Sequence, residues 1–206
     1  MTQASAVRTR CPAGLVTAIR CATARHADWQ QTAVLVADQV RLHLPGSGVL
    51  TAEERQGSPG GYVCHTLHTE PDGAFSVCAV VWRPGQQTPI HDHVAWCVVG
   101  VLEGAESEEL FALRDGETAL EQVGSRVSMA GEVGGFAPPG DIHRVTNHGS
   151  GVAISLHVYG ADIARLGSSV RRTYDLPVLA PPASPVLQRR GVIRPRSRRP
   201  RRGAGR

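Results

Sequence analysis

Two periodicities divide the chain. Between Pro12 and Leu44, the apolar residues Leu15, Ile19, Val34, Leu35, Val40 and Leu44 return at helical intervals among many alanines. This stretch predicts two helices broken near His26–Trp29, the second ended by Pro45-Gly46-Ser47-Gly48. From Tyr62 to Tyr159 the period shortens. Runs such as YVCHTLH, FSVCAVVW, WCVVGVL, ELFAL, VGGFA, HRVTN and VAISLHVYG alternate with the turn signals EPDG, RPGQ, EGAE, RDGE, PPGD and HGSG. Short strands at even spacing predict a mainly β domain, a sandwich or barrel of the jelly-roll type. Ala161–Asp175 has room for a short helix, and Pro177–Pro185 is a proline-rich exit. The organisation expected is a helical segment over residues 1–50 that packs on the barrel, the barrel itself over 51–178, and a disordered Pro/Arg-rich tail over 179–206.

Charge changes this picture only at one end. All 22 basic residues are arginine, and nine of them fall between Ser184 and Arg206, where there is no acid. Removing those nine leaves 13 arginines against 18 acidic residues, so the formal charge of +4 belongs to the tail and the body is mildly acidic. Such a tail has little to bury. It carries no aromatic residues for base stacking, so nucleic acid is not the expected partner. No apolar run approaches a membrane span, and MTQASAVRTRCPAGLV lacks the apolar core of a secretory leader. The five cysteines, Cys11, Cys21, Cys64, Cys78 and Cys97, contain no CxxC pair and read as reduced thiols in a cytoplasmic protein.

The candidate chemistry lies in GQQTPIHDHVAWCVVGVLEG and PPGDIHRVTN. His91 and His93 are two apart, so on a strand both imidazoles face the same side. His143 follows a Pro-Pro-Gly turn able to swing it toward them. Three neutral imidazoles with open positions around them suit a ferrous ion, Fe(2+), that must take both a substrate and dioxygen.

These residues carry a resemblance. Gly85, His91-x-His93 and Gly104 are spaced like the first motif of the cupins, and Pro138-x-Gly140, His143 and Asn147 like the second. The cupin fold, a double-stranded β-helix, is therefore the expectation. Within it the chain most resembles the thiol dioxygenases, cysteine dioxygenase and its relative 3-mercaptopropionate dioxygenase. Those enzymes hold ferrous iron with three histidines and convert a thiol to a sulfinic acid with both atoms of dioxygen. Cys97 stands where other cupins have a glutamate ligand, and where some thiol dioxygenases have a cysteine bonded to a tyrosine. Ser155-Leu156-His157-Val158-Tyr159 resembles the family's Ser-His-Tyr relay, and alternation puts its three polar side chains on one strand face. The resemblance implies that Tyr159 serves as an acid or hydrogen-bond donor held by His157, which Ser155 orients. Asp92 should point away from the metal.

The implied substrate is a small carboxylate-bearing thiol, L-cysteine or 3-mercaptopropionate, with dioxygen as co-substrate. Its clamp is harder to place. Cys64 occupies the position of the arginine of cysteine dioxygenases, and a carboxylate fork calls for a guanidinium. Arg165 and Arg172 are the candidates downstream, with Arg171 beside them, and Trp96 is a candidate wall. Two other classes stay open: a metal cupin enzyme of different chemistry, and a non-enzymatic metal- or ligand-sensing cupin whose tail touches nucleic acid.

Overall fold

A computed structural model describes residues 10–114 and 116–179, and the arginine-rich tail lies outside the described residues. Helix α1 spans Ala13–Thr23 and α2 spans Trp29–His43. The break between them is set by Asp28, whose carboxylate accepts the Gln31 N–H at 2.7 Å and caps α2. Of the residues that mark the apolar face of α2, Val40 is buried and Leu35 and Leu44 pack partly against the core, but Val34 does not. Val34 is 54% exposed, whereas Ala33, Val36, Ala37 and Val40 are buried. The helix lies so close to the strands that it needs small side chains. A Cβ on Gly100 would come within 2.6 Å of Leu44 Cδ1, and one on Gly135 within 3.2 Å of the Ala33 carbonyl oxygen.

The strands are β1 (Val63–Thr69), β2 (Ser76–Trp82), β3 (His91–His93), β4 (Cys97–Glu103), β5 (Ala105–Arg114), β6 (Ala119–Met129), β7 (Val133–Phe136), β8 (His143–Thr146), β9 (Ala153–Tyr159), β10 (Val170–Thr173) and β11 (Val178–Leu179). A short helix, α3 (Ile163–Leu166), precedes β10. One sheet runs β1-β2-β9-β4-β7 and the other β10-β3-β8-β5-β6-β11. Their inner faces meet, with the rings of His93 and Phe136 4.9 Å apart across the gap. This is the cupin barrel. No helix among the described residues is long and apolar enough to cross a membrane.

Strand β9 shows how the sequence places both core and site. All seven of its residues are buried. Ile154, Leu156 and Val158 point out into a core shared with Leu15, Ile19, Val36 and Val40 of the helices. Ser155, His157 and Tyr159 therefore point inward, as strand alternation requires. The surprise is β6. It is one of the two longest strands, yet Glu121, Gln122, Gly124, Ser125, Arg126 and Ser128 give it no apolar alternation, because much of it is exposed. Likewise EGAE is only half a turn: Ala105 already begins β5, and Glu106 and Glu108 face the barrel interior.

Candidate metal centre

His91 and His143 are direct partners across β3 and β8, which brings their Nε2 atoms to 3.3 Å. His93 joins them, and one nitrogen from each ring lies within 4.8 Å of the others. Each ring is held from behind by a different acceptor. His91 Nδ1 faces the Pro89 carbonyl at 2.9 Å, His93 Nδ1 the Asp141 carboxylate at 3.0 Å, and His143 Nδ1 the Glu108 carboxylate at 2.5 Å. Acceptors at all three Nδ1 atoms put the ring protons there and leave three Nε2 lone pairs converging. Two such lone pairs 3.3 Å apart repel unless a cation lies between them, so the donor set fits a divalent metal.

Electrostatics agree. Burial, with His143 and His93 close by, holds His91 down to about 3, and burial lowers His93 despite Asp141. The anchors are charged. Burial is the largest single influence and works against ionised Glu108 and Asp141. The histidine hydrogen bonds together with nearby charge, Arg126 included for Glu108, and backbone N–H groups for Asp141 nevertheless keep both below the usual carboxylate range. Glu108 also makes an ion pair with Arg126, its partner across β5 and β6. That guanidinium lies over Gly134, where a Cβ would stand 3.1 Å from its Nη1.

The opposite wall carries the relay residues. Tyr159 Oη is 3.0 Å from His157 Nδ1, and His157 Nε2 is 2.9 Å from Ser155 Oγ. Trp82 adds its indole N–H to Ser155 Oγ at 3.2 Å. Burial, reinforced by the three histidines, lowers His157 to about 3, and burial raises Tyr159 and Cys97 well above their ordinary values. Cys97 is the direct strand partner of Tyr159, and both pack in one cluster with Cys78. Between the walls lies a cavity of about 260 Å³, lined by the three histidines, His157, Tyr159, Cys97 and Cys64 along with Val80, Val99, Phe136 and Val145.

Three of the expected pocket residues are elsewhere. Arg165 lies exposed on α3, where its backbone N–H bonds the Asp162 cap. Arg172 stacks its guanidinium 4.5 Å over the Tyr174 ring on the outer side. Trp96 is core, buried with the helices and pressed on Gly160, where a Cβ would meet its Nε1 at 2.2 Å. Arg171 pairs with Asp92, which also accepts the Tyr174 hydroxyl at 2.7 Å, so Asp92 does face away from the metal site. Register explains the arginines: Arg172 opposes Asp92 on β3, whereas Val170 and Ser168–Ser169 reach the cavity. Sequence reasoning missed Glu106, Glu108, Asp141 and Arg126. Their one signal was the Glu-x-Glu alternation of β5, which resembles a charged turn.

The sequence profile described as cysteine dioxygenase type I matches residues 61–167, just over half of the chain. Among solved structures, an oxalate oxidase in complex with glycolate is 25% identical, with a TM-score of 0.41 over 51% of this chain and 53% of its own. The chain thus spans about half the length of that structure. A conserved protein with a double-stranded β-helix domain from Klebsiella pneumoniae is 17% identical, with a TM-score of 0.43 over 55% of this chain and 89% of that one. The Cnp3 cupin domain of Schizosaccharomyces pombe is 13% identical, with a TM-score of 0.39 over 52% and 65% respectively.

Proposed function

The chain belongs to the cysteine dioxygenase type I family, and from that premise we propose that it is an iron-dependent thiol dioxygenase, adding both atoms of dioxygen to a small thiol to give its sulfinic acid. The observation that carries this reading is the hydrogen-bonded row Tyr159–His157–Ser155, which shares one cavity with three convergent imidazoles. Ferrous iron held by His91, His93 and His143 supplies a Lewis acid that favours the thiolate, and the reducing power that dioxygen requires.

The chain's own residues do the rest. Cys97 in place of a carboxylate ligand keeps the site short of negative charge, since burial holds its thiol neutral. Val80, Val99, Phe136 and Val145 keep water from the reacting sulfur. Tyr159, kept protonated by burial, presents its hydroxyl oxygen at the cavity wall, and His157, by accepting its proton, fixes the direction of that hydroxyl. For the substrate we favour a small carboxylate-bearing thiol, L-cysteine or 3-mercaptopropionate, giving cysteine sulfinate or 3-sulfinopropionate. Ser168 and Ser169, which line the cavity, are the polar groups for the carboxylate. Arg126, the one cation on the cavity wall among the described residues, is already engaged by Glu108.

Oxygen uptake tests the proposal. Protein loaded anaerobically with ferrous iron should consume oxygen when given one of these two thiols, and mass spectrometry should find a product heavier by two oxygen atoms. Absence of uptake across a panel of cysteine, 3-mercaptopropionate and cysteamine rejects it.

A further inference from the structure

Oxidation of a thiol at neutral pH leaves a proton behind. One thiol and one dioxygen give one sulfinate and one proton: the S–H bond breaks, two S–O bonds form, and sulfur loses the four electrons that dioxygen gains. The histidines, Cys97 and Tyr159 are all buried, so under the thiol dioxygenase reading above this proton needs a route out.

The row that begins at Tyr159 does not end at Ser155. Trp82 Nε1–H can only donate, and it points at Ser155 Oγ. With Tyr159 donating to His157 Nδ1, the His157 Nε2 proton also goes to Ser155 Oγ. Ser155 then has one proton of its own left to give, and the Glu106 carboxyl lies beside it across the barrel. Glu106 is 5% exposed, lines the cavity, and has an Oε1 with no hydrogen-bond partner. Its strand partner is Ser128, and Ser128 and Arg126 line both the inner cavity and a groove on the outside of the barrel.

We propose that Glu106 is the terminal proton acceptor of the relay, receiving the thiol's proton through Tyr159, His157 and Ser155 and releasing it at the Arg126–Ser128 side. The thiol proton moves to Tyr159 Oη while the Tyr159 proton moves to His157 Nδ1. The His157 Nε2 proton moves to Ser155 Oγ, and the Ser155 proton moves to the carboxylate. One S–H bond is lost and one carboxyl O–H is gained. No other group changes its number of protons. Glu106 thus acts through Ser155 as a positioning and proton-accepting residue, without touching substrate.

Its surroundings match that task. Burial raises the Glu106 carboxyl to about 7, the polar Ser155 and Trp82 groups beside it oppose the rise, and the charge of Glu108 adds to it. Arg126 faces it from β6 but is paired with Glu108, and His157 beyond Ser155 is neutral. Below about 7 the carboxyl is already protonated and cannot accept, so turnover falls as pH drops through that value and holds above it.

The experiment compares iron-loaded wild type with Glu106→Gln. The variant should keep its iron and KM, lose roughly 10²-fold in kcat, and lose the wild type's fall in kcat below neutrality. Infrared spectra without substrate should show a protonated carboxyl band in the wild type that disappears near neutral pH and is missing from the variant. Ser155→Ala should copy the kinetic defect while keeping the band. An active wild type whose pH profile the Gln variant reproduces overturns this inference alone, as does a wild type without the band. A wild type inactive on every thiol overturns both readings.

Discussion

The two sheets of the barrel hold their functional side chains by opposite means. The sheet with β9 and β4 is backed by α1 and α2, so the strand carrying Ser155, His157 and Tyr159 is buried on both faces. Position there comes from packing, with only a few hydrogen bonds along the inner wall. Among the described residues the sheet with β3, β8 and β5 has no such helical backing, and Val123, Val127 and Met129 on β6 are more than half exposed. Its histidines are fixed by hydrogen bonds instead, to the Asp141 and Glu108 carboxylates and the Pro89 carbonyl. The difference fits the two tasks. Metal ligands need correctly protonated nitrogens aimed at a point, which hydrogen bonds to Nδ1 supply. A proton-handling row needs a dry wall of fixed geometry, which packing supplies.

Variants that separate ligand, relay and packing sharpen this contrast. His143→Ala should have the largest effect: it deletes one of three ligands and leaves Glu108 facing a gap. Metal analysis should find the site empty and turnover lost, and a variant that still holds metal would break the division of labour. Tyr159→Phe, on the packed sheet, should retain metal and lose roughly 10²-fold in kcat; an equal loss of metal would mean that the two walls are not separable. Gly100→Ala should have the smallest effect. Its new Cβ meets the flexible end of Leu44, so thermal unfolding should show a loss of about 1 kcal/mol with metal content unchanged.

The same contrast governs what could be read from the sequence. The packed sheet was legible in detail. Ser155-x-His157-x-Tyr159 sits on a strand whose other face is Ile154, Leu156 and Val158, so alternation put the three polar side chains on one face and the family resemblance aimed that face at the metal. The three histidines were legible because the cupin spacing is local to two short segments. The other sheet was not. Glu106 and Glu108 point inward from a strand, against the rule that acids mark turns, and the rule fails because the barrel holds polar partners for them. Strand β6 escaped because an exposed strand has no need of apolar alternation. The arginines of β10 escaped for another reason. Composition cannot say which face a four-residue strand presents, and pairing with β3 turns Arg172 outward over Tyr174.

The three separate anchors behind the imidazoles also bear on assembly. Pro89 precedes β3, Asp141 comes from the turn before β8, and Glu108 from the middle of β5. No two of these are neighbours in the chain, so the ring orientations exist together only once that sheet has closed. A half-folded chain has the histidines but not the set of tautomers that makes them ligands. The site is therefore a product of folding, and any metal it binds draws the population toward the closed barrel, by about 2.7 kcal/mol when free metal stands at 100 times its Kd.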